Sequence, residues 1–273
     1  MRSCGAVNPI VEQAWLRSHL DDPDLRVVDC RFVLGRADAG RDAYMAGHIA
    51  GAAFLDLDRE LSDPVGDGRR GRHPLPSPER FTAAARAAGI GTSSHVVAYD
   101  DGTGGAARLW WVLRHFGHDG VQVLDGGFAG WDGPTRSGAE EIPRGDFEVR
   151  QTRADTVDID DVAARLRRPG RVLVDARAPE RYRGEVEPID PVPGHIPGAV
   201  NAPFNAAVPP ELVDTPDEVV VYCGSGVTAA VVALRLAAAG RDDVKLYPGS
   251  YSEWVNRGLP ADRAAEPDGS GGG

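Results

Sequence analysis

The sequence predicts an α/β fold in two tandem copies, each a mostly parallel sheet flanked by helices. Two observations carry that prediction. Short β-branched runs alternate with Ala- and Leu-rich amphipathic runs, the pattern of parallel strands with helices packed on both faces. Several motifs also occur twice, in the same order. Val27-Val28-Asp29-Cys30-Arg31 matches Leu173-Val174-Asp175-Ala176-Arg177, and Gly47-His48-Ile49-Ala50-Gly51-Ala52 matches Gly194-His195-Ile196-Pro197-Gly198-Ala199. Val97-Ala98-Tyr99-Asp100 matches Val220-Val221-Tyr222-Cys223, and the Phe128 and Trp131 pair matches Tyr251 and Trp254.

In the first copy, apolar runs predict strands at 25–29, 53–55, 95–99 and 121–124, with helices at 8–19, 78–88, 105–116 and 128–132. In the second they predict strands at 172–175, 199–201, 218–222 and 244–247, with helices at 158–167, 228–239 and 251–256. The GHIxGA turns lie 147 residues apart and the Asp100 and Cys223 loops 123, so the first copy is 24 residues longer between turn and loop. That insertion holds Asp58, Arg69, Arg70, Arg72 and His73. Residues 133–156 are rich in charge, Gly and Pro and read as a linker. The expected organisation is a first domain over 1–135, a linker over 136–156, a second domain over 157–266 and a flexible Gly/Ser tail over 267–273.

Composition narrows the function. A net charge of -11 argues against nucleic acid or an anionic membrane as partner. No apolar stretch is long enough to span a bilayer and the first 25 residues lack a signal-peptide core, which points to the cytoplasm. Cys4, Cys30 and Cys223 are widely spaced with no CxxC pair, fitting neither a disulfide framework nor a zinc site. Cys30 ends a strand and reads as packing, while Cys4 lies near the terminus.

Cys223 is different. It follows the run Val219-Val220-Val221-Tyr222 and precedes Gly224-Ser225-Gly226-Val227-Thr228, where an Ala/Val/Leu-rich helix begins. It therefore sits at the carboxyl end of a buried strand, where ligands of parallel sheets bind. Unpaired amides of the loop and the positive helix end favour an anion there, which suits a thiolate nucleophile. Inert packing, the usual role of a lone Cys, needs no glycine-rich loop after it. In the first copy Asp100 takes the nucleophile's place, making that half non-catalytic and a donor of side chains from its insertion.

The tandem arrangement, the paired GHIxGA turns, the Leu124-Asp125-Gly126-Gly127-Phe128 segment and the Cys223 loop resemble two-domain rhodanese-like sulfurtransferases, over about residues 7–260. The Cys-Gly-Ser-Gly-Val-Thr loop is similar to the 3-mercaptopyruvate sulfurtransferase form; thiosulfate-preferring relatives typically carry Arg and Lys after the cysteine. Neutral Gly224 and Ser225 suit a monocarboxylate donor better than dianionic thiosulfate. The resemblance implies a small-molecule sulfur donor, a Cys223 persulfide, and a thiol, thioredoxin or cyanide acceptor, with no metal or organic cofactor and with thiosulfate:cyanide transfer as the alternative. It implies catalytic roles for Cys223, Ser225, His73 and Asp58, the acid orienting an imidazole that moves a proton. It places substrate binding at Arg181, with Arg183 second, and at Gly224, Gly226, Val227 and Thr228 of the loop. One departure stands out. Such enzymes commonly carry a second arginine before the GHIPGA turn, whereas residues 185–193 here hold three acids and no base. Arg183 or the Arg69, Arg70 and Arg72 cluster are the candidate substitutes.

Two other classes compete. A cysteine phosphatase needs an arginine six residues after its cysteine, and that position is Ala229. A non-catalytic binding module predicts a broken loop in both halves, which only the first half shows. His48 and His195 occur in both copies, so they are expected to stabilise the turns rather than catalyse. Trp110, Trp111, Trp131 and Trp254 are expected in the core.

Overall fold

The β-branched runs become the central strands of two parallel sheets in the computed structural model, which describes residues 8–263. Cys4 and the Gly/Ser tail lie outside the described residues. The chain divides into two units, one of Met1–Pro64 with Leu75–Ala154, the other of Val65–Pro74 with Asp155–Gly273.

In the first unit the elements run β1 (Ile10–Val11), α1 (Gln13–His19), β2 (Leu25–Asp29), α2 (Ala39–Ala46), β3 (His48–Ile49), β4 (Ala53–Phe54), α3 (Pro78–Ala87), β5 (His95–Tyr99), α4 (Gly105–His115), β6 (Val121–Leu124) and β7 (Thr135–Arg136). Five strands form a parallel sheet in the order β1-β6-β5-β2-β4, and β3 pairs with β7 antiparallel. In the second unit they run α5 (Ile159–Ala164), β8 (Arg171–Asp175), α6 (Pro179–Arg183), β9 (Val200–Asn201), α7 (Pro210–Asp214), β10 (Glu218–Tyr222), α8 (Thr228–Ala238), β11 (Lys245–Leu246) and α9 (Ser250–Asn256). Its four strands are parallel in the order β11-β10-β8-β9. A lone parallel bridge from Thr156 to Leu246 stands where β1 meets β6 in the first unit.

Three expectations are corrected. The span 8–19 opens as an edge strand, because Ile10 and Val11 are β-branched and pair with Val123 and Leu124; the helix starts only at Gln13. Residues 125–130 form successive turns and 131–132 are irregular, since Gly126, Gly127 and Gly130 lower helix propensity, so the expected helix at 128–132 is absent, whereas the matching stretch of the second unit forms α9. Trp131 is half-buried and its indole donates to Pro134 O at 3.1 Å, while Trp110, Trp111 and Trp254 are buried. Helices α2, α6 and α7 have eight, five and five residues, too short to show a clear apolar period. The irregular segment before Ala154 lies on the first unit. Phe147 is buried there and its amide donates to Ile90 O at 3.1 Å.

Each unit repeats one polar cluster beneath the strand ends. Arg31 forks onto Asp29 and donates to Gly47 O at 2.6 Å, and its guanidinium lies 4.1 Å from the Phe128 ring. Arg177 likewise forks onto Asp175, donates to Gly194 O at 2.6 Å and lies 3.8 Å from the Tyr251 ring. The Tyr99 and Tyr222 hydroxyls accept from the Ile49 and Ile196 amides at 3.2 and 3.0 Å, tying the GHIxGA turn to the central strand. Burial pushes both phenols up, so they stay neutral.

Candidate active site

Strand β10 runs between β8 and β11, so its side chains are buried on both faces and its carboxyl end delivers Cys223 to the loop before α8. Two sets of hydrogen bonds fix that loop from behind. The Tyr251 and Ser252 amides donate to Cys223 O and Gly224 O at 3.0 Å each, and the Cys223 amide donates to Ser250 Oγ at 3.1 Å. Ser250 takes the left-handed conformation at φ 55°, and its hydroxyl also donates to Tyr247 O at 2.9 Å, which offsets the strain. In front, the Cys223 sulfur accepts from the Gly226 amide at 3.1 Å and the Ser225 amide at 3.4 Å. Val227 caps α8 and Thr228 opens it, so the eleven-residue helix points its positive end at the loop. Cys223 is only 2% exposed, yet the main-chain donors converge on its sulfur. Desolvation strengthens such contacts.

The segment Val65–Pro74 belongs to this unit and packs along α9. The Arg72 amide donates to Ser252 Oγ at 3.2 Å and the Asn256 carboxamide to Gly68 O at 3.3 Å. This seats buried His73 with its Nδ1 2.8 Å from Ser225 Oγ. The insertion of the first copy thus supplies an imidazole to the serine two residues beyond the cysteine. Asp58 lies in the first unit, where its amide donates to Asp56 Oδ1 at 2.8 Å.

Arg181 lies in the middle of α6 with its guanidinium on two acids whose side chains are buried. Its Nε and Nη2 donate to Glu187 at 3.2 and 2.6 Å, and Nη2 also reaches Asp190 at 3.2 Å. Arg72 holds the other oxygen of Asp190. Burial pushes the Asp190 carboxyl up, against the pull of Arg72 and Arg181, whereas Glu187 is drawn down despite burial by Arg181 and two backbone amides. Arg183 is exposed and holds Glu185 at 2.5 and 2.9 Å. In both turns the histidine is structural in its contacts. His48 Nδ1 meets Tyr44 O and His195 Nδ1 meets Tyr182 O, each at 2.8 Å, and each ring stacks on that tyrosine.

A family model described as "Rhodanese-like domain" matches residues 12–133 and again 158–257. The chain belongs to the rhodanese-like family. A Pseudomonas aeruginosa relative, provisionally named a 3-mercaptopyruvate sulfurtransferase, is 45% identical over 88% of this chain and 92% of its own. A Mycobacterium tuberculosis relative, provisionally named thiosulfate sulfurtransferase SseB, is 42% identical over 85% of this chain and 88% of its own. The crystal structure of SseA from Escherichia coli, titled as a 3-mercaptopyruvate sulfotransferase with the rhodanese fold, superposes with a TM-score of 0.78 at 35% identity. It covers 90% of this chain and 99% of that one.

Within this rhodanese-like site, sequence reasoning missed Ser250 and the partners of Arg181. Ser250 was open to detection, because it stands 123 residues after Gly127, the same interval that separates Cys223 from Asp100. Gly127 has φ 56°, and a Cβ there would collide with Asp100 O. The acids of residues 185–193 were visible, but the pairing of Asp190 with Arg72 joins segments 118 residues apart in the chain.

Proposed function

We propose that the protein is a sulfurtransferase that takes sulfur from 3-mercaptopyruvate onto Cys223 and passes it to a thiol, thioredoxin or cyanide. The observation that carries this reading is the Cys223 sulfur under the Ser225 and Gly226 amides at the end of β10. Cys223 thiolate attacks the thiol sulfur of the donor, the S–S bond forms and the C–S bond breaks. The electron pair leaves as the enolate of pyruvate. The thiol proton ends on the carbon that carried sulfur, so pyruvate and a cysteine persulfide anion result. The amides that held the thiolate then hold the persulfide. His73 and Ser225, hydrogen-bonded at 2.8 Å, are placed to carry that proton towards the enolate. An acceptor thiolate or cyanide then attacks the outer sulfur and returns Cys223 as thiolate, with no net oxidation.

Thiosulfate is the rival donor, named for the Mycobacterium tuberculosis relative. The neutral Gly224 and Ser225 that follow the cysteine favour the monocarboxylate. The test is intact-protein mass spectrometry after incubation with mercaptopyruvate, with pyruvate assayed in parallel. The expected result is a gain of one sulfur with equimolar pyruvate, removed by cyanide and absent in Cys223→Ser. No gain with either mercaptopyruvate or thiosulfate would overturn the assignment, and a larger kcat/KM for thiosulfate would reverse the donor preference.

A further inference from the structure

Arg72 and Arg181 come from different segments and meet over the same residue. A Cβ built on Gly224 would lie 2.7 Å from Arg72 Nη2 and 3.6 Å from Arg181 Nη1. Gly224 directly follows Cys223, so both guanidinium groups stand at the loop that holds the sulfur. One carboxylate joins them, since Asp190 accepts from Arg72 Nη1 on one oxygen and from Arg181 Nη2 on the other. Glu187 supports the pair from Arg181 and from Arg177 Nη1 at 3.1 Å. The acid side chains are 2% exposed, against 25% for Arg72 and 17% for Arg181. Carboxylates therefore lie beneath and guanidinium edges face outward. Arg72 Nη2 and Arg181 Nη1 make no hydrogen bond to the described residues, and Arg72 Nε is buried without a partner.

Charge decides what such a pair accepts. Arg72, Arg177 and Arg181 face Asp175, Glu187 and Asp190, so the cluster is formally neutral while presenting two donor edges. Donor edges without net charge suit a planar monocarboxylate, which gains bidentate hydrogen bonds. A dianion needs uncompensated positive charge in addition.

Building on the sulfurtransferase reading, we propose that Asp190 sets the donor's charge class. It clamps Arg72 and Arg181 into one carboxylate-binding pair and cancels a charge that a dianionic donor such as thiosulfate would otherwise use. Arg72 then supplies the second guanidinium that residues 185–193 lack. Asp190 acts through the arginines, as a positioning residue.

Asp190→Asn keeps the shape and removes the charge. Its expected effect is a rise of about tenfold in the thiosulfate-to-mercaptopyruvate ratio of kcat/KM, a modest value for one charge at an effective dielectric of about 20. The change is expected in KM rather than kcat, with competitive inhibition by sulfate strengthened more than inhibition by pyruvate. Asp190→Glu, which restores the charge, should return the ratio towards the native one, and Arg72→Gln should move it the opposite way. A ratio unmoved in both Asp190→Asn and Arg72→Gln overturns the proposal, as does equal loss for both donors. Should Asp190→Asn fail to fold, the direction of the Arg72→Gln shift decides. Failure of the parent protein to take sulfur from either donor would instead remove the sulfurtransferase reading.

Discussion

The loops after β5 and β10 are the same main-chain device filled in two ways. In the first unit Asp100 folds its carboxylate back onto its own loop, accepting from the Gly102, Gly104 and Ala106 amides at 2.7, 2.8 and 3.0 Å. In the second, Cys223 places one sulfur beneath the Ser225 and Gly226 amides. The back of each loop is held identically, Phe128 N to Asp100 O and Tyr251 N to Cys223 O, both at 3.0 Å. Anion holding therefore belongs to the strand–loop–helix geometry, and the chemistry belongs to the side chain placed in it. A carboxylate that satisfies three amides is a structural plug. A cysteine in the same position has a sulfur that can react, and the proposed mechanism uses it with Arg72 and Arg181 beside it at Gly224.

The sharpest way to probe this likeness is through the clusters beneath the two loops. Arg31→Met and Arg177→Met each strand a buried aspartate and should cost about 3–5 kcal/mol in urea unfolding. Only Arg177→Met should also raise the donor KM, because Arg177 supports Glu187 and through it Arg181. Equal KM in the two variants would break the link between that cluster and the site.

A smaller effect separates the plug from the nucleophile. Asp100→Ala leaves three amides unsatisfied, those of Gly104 and Ala106 buried, and should cost about 2 kcal/mol with turnover kept. Cys223→Ala should cost about 1 kcal/mol, since sulfur is a weak acceptor, and abolish turnover. Denaturation midpoints and pyruvate release check both, and turnover lost in Asp100→Ala would contradict the assignment of that loop.

The smallest effect lies where the central strands begin. His95 meets Gln122 at 2.7 Å in β5, whereas the matching Glu218 of β10 meets Lys245 at 2.8 Å and Arg171 at 2.6 Å. Burial pushes Glu218 up, but Lys245 and Arg171 override it and hold the carboxyl at about 2, below its ordinary 4.5. A depressed folded-state value means stability present above pH 4.5 and lost as the pH falls towards 2. Glu218→Gln should therefore cost about 1 kcal/mol at neutral pH, the size of a partly exposed ion pair, and the difference should vanish near pH 2. A cost that persists unchanged at low pH would show packing rather than charge at work.

Much of this was legible in the sequence. Strands β2, β5, β6 and β10 follow runs of Val, Leu and Tyr whose period and length leave little alternative, and their boundaries match the apolar runs. The position of the Cys223 loop was legible for the same reason, since a cysteine at a strand end followed by Gly-Ser-Gly is a local pattern. Edge strand β1 and helices α2, α6 and α7 were not, because two to eight residues carry too little periodicity to outweigh context.

What the sequence alone determined is therefore local: the duplicated α/β unit, and the exchange of Cys223 for Asp100 at the matching position of the other copy. Tertiary structure decided which groups surround the sulfur. It carried Val65–Pro74 onto α9, bringing His73 to Ser225 and Arg72 to Gly224, and it turned the acids at 187 and 190 into partners of arginines. The contacts of His73 and Arg72 join residues more than a hundred positions apart, where only packing and charge pairing fix the neighbour.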